Sequence, residues 1–228
     1  MKKNLIFDAD DTLWENNVLF EKATDAFIDF LAHPSLARDE IRHRLEEIER
    51  ANVPRYGYGV DAFQRSLTDC LTALRPGEPP SAADLATLGT VCDPIRAHAV
   101  ELIEGVVETL QELSTRHQLF LLTKGDHTHQ AAKIEASGLA DLFADAVVVP
   151  EKETAVYHGF VSERSLDATD TWMIGNSPKS DIQPALQAGL GAVLVPHPMT
   201  WALEFADVPR THERFREVTP FTALVEYF

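Results

Sequence analysis

The chain has 228 residues, 45% hydrophobic and 25% charged, which suits a globular protein with one large domain or a core carrying a smaller insert. Lys and Arg number 20 against 36 Asp and Glu, a formal charge of −16. A surface of that sign repels nucleic-acid phosphates and anionic lipid, so neither is an expected partner, and an anionic substrate would need a locally positive site.

The start, Met1-Lys2-Lys3, has the charge of a secretory leader, but the apolar run after it is only Leu5-Ile6-Phe7 before Asp8. No apolar stretch approaches the ~18 residues of a membrane span. Cys70 and Cys92 are the two cysteines, so no disulfide framework is expected. The reading is a cytoplasmic protein.

Residues 5–7 read as a short buried strand ending in acids. Residues 15–97 carry no strand signal. Phe20, Thr24, Phe27 and Leu31 share one helical face; Ile41, Leu45 and Ile48 share a second; Phe63, Leu67, Cys70, Leu71 and Leu74 share a third. After the loop at 75–80, Ser81 and Asp84 form a capping-box pattern opening a fourth helix. Beyond this helical insert, apolar runs at 118–122, 146–149, 171–174 and 192–195 alternate with helical stretches before 118 and at 127–137, 154–165 and 181–188. The runs are apolar throughout, as in strands covered on both faces, and alternation with helices predicts a parallel sheet. The fold class is α/β, a Rossmann-like parallel sheet of five main strands (1–14 and 98–228) with an inserted α-helical cap (15–97).

Ligands bind beyond the carboxyl ends of such strands. Here those ends carry Asp8, Asp10 and Thr12; Thr123 and Lys124; Lys152; and Asn176, Ser177 and Asp181. Alone, the two first acids read as turn residues, Thr123 as a helix cap, Asp181 as an N-cap, and Lys152, flanked by Glu151 and Glu153, as a solvated charge. Lys124 rivals Lys152 as the cation. The argument for a site is convergence on one rim.

Phe7-Asp8-Ala9-Asp10-Asp11-Thr12-Leu13 resembles the DxDxT signature of the haloacid dehalogenase-like hydrolase superfamily, most of whose members are phosphatases. Thr123 matches its second motif and Lys152 its third. Gly175-Asn176-Ser177-Pro178-Lys179-Ser180-Asp181 resembles its fourth, with Asn176 where an acid is usual. The resemblance implies strand order 5-4-1-2-3, a cap that opens and closes, and hydrolysis of a small phosphorylated metabolite. Asp8 would attack phosphorus, and Asp10 would protonate the leaving oxygen and then activate water. Thr123, Lys152, Thr12 and Lys124 would hold the phosphoryl oxygens. Mg²⁺ would sit on Asp8, the backbone carbonyl of Asp10, Asn176 and Asp181.

The segment 53–59 (VPRYGYG) reads as a loop between two insert helices, with Arg55, Tyr56 and Tyr58 offering charge and stacking to the leaving group. The alternative is a plain connector between the two helices. Rival functions are a metal-free 2-haloacid dehalogenase, favoured by Asn176 but opposed by Asp10, a phosphomutase, and a binding protein that has lost turnover. A monomer or homodimer is expected. Trp201, Phe205 and the last residues, 225–228, are expected to pack the 199–228 tail against the core.

Overall fold

The computed structural model of the chain describes residues 2–97 and 100–228. Two compact units are present, Met1–Glu15 with Val100–Phe228, and Asn16–Ala99. The sequence reading puts the junctions at 14/15 and 97/98, and residue 98 lies outside the described residues. Among the described residues, no helix is long and apolar enough to cross a membrane.

The Asn16–Ala99 unit contains helices α1 (Asn17–Leu31), α2 (Arg38–Tyr56), α3 (Val60–Leu74) and α4 (Ala82–Arg96). Their apolar stripes meet in one core that buries Phe27, Leu31, Ile41, Leu45, Phe63, Leu67 and Leu88 with both cysteines. The Ser81 hydroxyl accepts from Asp84 N at 3.1 Å, and the Asp84 carboxylate accepts from Ser81 N at 2.8 Å, closing the capping box. One expectation is corrected. Residues 53–56 are the last turn of α2, so Arg55 and Tyr56 stand on a helix and only Gly57-Tyr58-Gly59 connects it to α3. Pro54 lies in that exposed last turn; it has no N–H to give the carbonyl four residues back, and Arg50 there is exposed to water. The turn closes with Gly57 N–H on Val53 O at 2.9 Å, and Gly57 takes φ +73°, a conformation suited to glycine.

The other unit is built on six strands, β1 (Asn4–Phe7), β2 (Gln118–Lys124), β3 (Asp145–Val149), β4 (Thr171–Gly175), β5 (Gly191–Leu194) and β6 (Phe215–Glu217). They lie in the order β3-β2-β1-β4-β5-β6 with every pairing parallel. Side chains alternate between faces. Leu5, Phe7, Leu119, Leu121 and Val193 pack with α5 (Val106–Arg116) and α6 (His127–Ala136). Ile6, Phe120, Leu122, Met173 and Ala192 pack with α7 (Thr154–Glu163) and α8 (Gln183–Gln187). Double coverage explains why these strands read as unbroken apolar runs.

The expected five strands are thus joined by a sixth from the tail. β6 contributes one buried side chain, Phe215, followed by the exposed Arg216 and Glu217, too little pattern to read as a strand. Phe221 and Leu224, further along, complete the core on the other face. β1 is central, with Phe7 level with Leu121 and Ile174, so the residues that follow these three positions emerge side by side.

Burial pushes the Cys70 thiol up to about 12 and the Cys92 thiol up to about 11. A thiol reagent near neutral pH should therefore find no fast-reacting cysteine in the native protein and two after denaturation. A stoichiometric fast reaction of the native protein would contradict this packing.

Candidate active site

Asp8 leaves the central strand with its N–H on Ile174 O at 2.9 Å. The chain then turns tightly: Leu13 N–H bonds Ala9 O at 2.8 Å, and Asp11 adopts φ +60°, which a short polar side chain tolerates. The turn buries Thr12, whose hydroxyl lies 2.9 Å from Asp8 Oδ2.

Lys152, just past β3, reaches across the strand ends. Its ammonium, 1% exposed, contacts Asp8 Oδ1 and lies 2.8 Å from Asp181 Oδ1. Burial alone would push the lysine pKa down, but Asp181 and Asp8 outweigh it and hold it above the ordinary value. Burial is also the main influence on Asp181, whose carboxyl is raised despite the pull of Lys152. The helix expected at 181–188 starts earlier, as a π-helical turn at Pro178–Ile182, with the N–H groups of Asp181 and Ile182 both on Ser177 O. That wide turn folds Asp181 back so that Oδ2 accepts from Ser177 N–H at 2.9 Å.

The oxygens near Asp8 suit a hard cation. Asn176 Nδ2 donates to Thr200 Oγ1 at 3.2 Å, which orients its amide, and Oδ1 lies 3.3 Å from Thr12 Oγ1. Thr12 also accepts from Asn176 N–H at 3.1 Å. Its single hydroxyl hydrogen therefore faces two acceptors, Asp8 Oδ2 and Asn176 Oδ1, and can satisfy one. A carboxylate and a carbonyl oxygen converging with unused lone pairs fit Mg²⁺. Asp181, assigned to the same ligand set from the sequence, has its oxygens on Lys152 and Ser177, as Asp8 has its own on Lys152 and Thr12.

Thr123 is buried at the end of β2. Lys124, the rival cation, takes other partners: Glu204 at 2.6 Å, Ser180 at 2.9 Å and Glu151 at 3.3 Å. Its pKa is also held up by these carboxylates against burial. Glu204 also accepts from Ser177 Oγ at 2.5 Å, tying the tail to the loop after β4. Sequence reasoning missed Glu204, and its one signal is an acid between the apolar Leu203 and Phe205.

The Asp10 carboxylate has a different set of partners. Trp14 Nε1 donates to Oδ1 at 2.7 Å, Gln130 Nε2 to Oδ2 at 2.8 Å, and Lys133 Nζ lies 2.9 and 3.0 Å from the two oxygens. Burial would raise this carboxyl, but Lys133 and the donors together hold it below the ordinary value. Gln130 and Lys133 were also missed; their three-residue spacing on α6 puts them on one helix face.

Asp11, Glu15 and His197 also bring three metal-type ligand atoms within 4.8 Å of one another. However, His197 Nδ1 accepts from Met199 N–H at 3.2 Å, which leaves the ring proton on Nε2, 3.2 Å from Glu15 Oε2. A ring with both nitrogens so used is a hydrogen-bonding link between the turn after β1 and the loop after β5. Arg55, Tyr56 and Tyr58 belong to the helical unit. Arg55 and Tyr56 are exposed, Tyr58 is half-buried, and Arg65 stacks 4.2 Å over the Tyr56 ring.

Residues 2–189 match the family model for haloacid dehalogenase-like hydrolases. Among curated proteins, the chain is similar to N-acylneuraminate-9-phosphatase of Rattus norvegicus, 33% identical over 51% of this chain and 46% of that protein. The human protein of that name is 33% identical over 43% of this chain and 42% of its own. The chain thus spans under half the length of the curated relatives it matches. A haloacid dehalogenase-like family hydrolase from Xanthomonas campestris superposes with a TM-score of 0.83 at 29% identity, covering 99% of this chain and 94% of that one. A Bacillus subtilis protein solved bound to magnesium shares the fold at TM-score 0.67 and 19% identity, covering 99% and 98%.

A Cβ on Gly175 would collide with the Asp181 carboxylate. Gly175→Ala should therefore displace Asp181 from Lys152, cost about 1–3 kcal/mol as an overpacked site does, and lower turnover more than the equally conservative Gly159→Ala, where a Cβ meets nothing within 4 Å. Denaturant melts and activity of both variants check this.

Proposed function

Because this chain belongs to the haloacid dehalogenase-like hydrolase family, we propose that it is a Mg²⁺-dependent phosphatase that hydrolyses a small phosphorylated metabolite through an aspartyl-phosphate on Asp8. The observation that carries the reading is the Asp8 carboxylate held between Lys152 and Thr12, with a second acid two residues on.

A phosphomonoester dianion repels a carboxylate, so the site must supply positive charge and alignment. Lys152 supplies charge beside the attacking oxygen, and Thr123 and Thr12 supply hydroxyl donors for the equatorial oxygens. Asp8 attacks phosphorus, and the bond from phosphorus to the leaving oxygen breaks as Asp10, which takes up a proton when the ester's negative charge arrives beside it, delivers that proton there. Water then attacks the phosphorus of phospho-Asp8, Asp10 takes a water proton, and the P–O electron pair returns to Asp8. Asp8 and Asn176, with the backbone carbonyl of Asp10, would hold Mg²⁺, and bound there it would neutralise phosphoryl charge. Asp181, whose carboxylate shares the Lys152 ammonium with Asp8, would complete that ligand set and also keeps Lys152 in place.

The curated relatives, by their name phosphatases of an N-acylneuraminate 9-phosphate, support a phosphate ester of a sugar acid as the substrate class. Arg55 offers charge to such a carboxylate, and Tyr56 and Tyr58 offer ring faces to a sugar.

Asp8→Asn should lose activity on the order of 10³-fold or more while keeping the fold. A panel of phosphate esters, assayed with Mg²⁺ and with chelator, tests the reading. Turnover only with Mg²⁺ is expected, whereas full turnover in chelator, or halide release from a 2-haloacid in place of phosphate release, would overturn it. Asn176→Asp should bind Mg²⁺ more tightly in calorimetric titration, because it adds a charge to the ligand set.

Arg55→Ala and Tyr56→Ala should re-rank sugar-acid esters against p-nitrophenyl phosphate. Equal loss on every ester, or none, would make this segment a connector only.

A further inference from the structure

Gln130 is 5% exposed, and its amide is oriented without ambiguity. Nε2 donates to Asp10 Oδ2 at 2.8 Å and to Lys124 O at 2.9 Å. Turned over, the amide would set its oxygen against two acceptors, so the orientation follows from the partners. The amide lies close on Gly125, where a Cβ would come within 3.2 Å of Nε2. Among the described residues, Gln130 Oε1 is the buried side-chain polar atom with no hydrogen-bond partner. Buried carbonyl oxygens are ordinarily satisfied, and one left open beside an acid–base residue calls for a donor that arrives during function.

We propose that Gln130 Oε1 accepts a hydrogen bond from the water that hydrolyses phospho-Asp8, and so orients that water beside Asp10. This rests on the aspartyl-phosphate reading above. A water giving one hydrogen to Asp10 and the other to Gln130 presents a lone pair to phosphorus. Lys133 touches both Asp10 oxygens, so one of those contacts suffices for the ammonium while the other oxygen receives the water. In the step, a bond forms from the water oxygen to phosphorus, and the bond from phosphorus to Asp8 breaks with its electron pair returning to the carboxylate. One water proton goes to Asp10, and the other, held by Gln130 during attack, leaves on the phosphate. A neutral amide suits this work because it fixes direction without adding a competing base, as glutamine does for attacking water in some nucleotide hydrolases. Water fits the buried oxygen better than a substrate hydroxyl, being small enough to reach an enclosed acceptor.

Rapid-quench kinetics on the whole protein separate formation of the phosphoenzyme from its decay. With p-nitrophenyl phosphate, whose leaving group departs without a proton from Asp10, formation in Gln130→Met, similar in length and without polar atoms, should run at the wild-type rate. Decay should slow on the order of 10- to 100-fold, the scale of losing orientation at a reacting group, so that phosphoenzyme accumulates. A merely structural role would slow both steps together or neither, and either result overturns the proposal. Selective slowing of formation, confined to esters with a hydroxyl beside the phosphate, would assign the oxygen to the leaving group and also overturn it. Should Gln130→Met fail to fold, Gln130→Asn, which withdraws the amide by one methylene, should give the same selective slowing. Absence of any phosphoenzyme in the wild-type protein would instead sink the underlying mechanism, and the proposal with it.

Discussion

The site depends on one buried ammonium between two buried carboxylates. Lys152 comes from the segment after β3, Asp8 from the end of β1 and Asp181 from the turn after β4. None of the three charges is tolerable alone in that environment, and removing one partner from a buried pair costs about 3–5 kcal/mol. The pairing therefore holds three strand ends in register. Its formal sum is one negative charge, which suits a place where a cation is to join the cluster. Thr12 and Asn176 complete the same patch through one hydroxyl shared between two acceptors.

This arrangement also answers the difficulty raised by the charge of −16. An acidic surface does not draw in an anionic ester, so attraction has to be local. Lys124, Lys133 and Lys152 are all largely buried near the carboxyl ends of β2 and β3 or on the neighbouring α6, and each is engaged by acids. The acids set where the ammonium groups stand. In that frame the two aspartates of the first motif live in different surroundings. Asp8 shares Lys152 with Asp181, while Asp10 is met by Lys133 and by two neutral donors, Trp14 and Gln130. Two like groups given different partners can perform different chemistry.

The sheet was legible because both its faces are covered, which leaves runs such as 118–122 and 192–195 apolar throughout. The rim was legible because strand ends in a parallel sheet carry polar residues in a fixed order along the chain. β6 was not legible, since a three-residue edge strand with one buried side chain has no period to detect. Glu204, Gln130 and Lys133 were not legible for a different reason. Each acts on a residue distant in sequence, and an isolated acid, amide or lysine carries no local sign of such a partner. The segment at 53–56 was misread because Pro and Gly normally punctuate loops, yet a proline in the last exposed turn leaves the helix intact. Asp11 shapes the turn after β1, and its left-handed backbone is the physical content of that role.

The covalent step at Asp8 is the claim on which the rest turns. The most direct measurement is to quench the protein during turnover of a phosphate ester, treat it with hydroxylamine, and map the modified peptide by mass spectrometry. An acyl phosphate formed on Asp8 predicts a hydroxamate at that residue, present only with substrate and absent in Asp8→Asn. Turnover with no hydroxamate at Asp8, or with one at another carboxylate, would contradict the account.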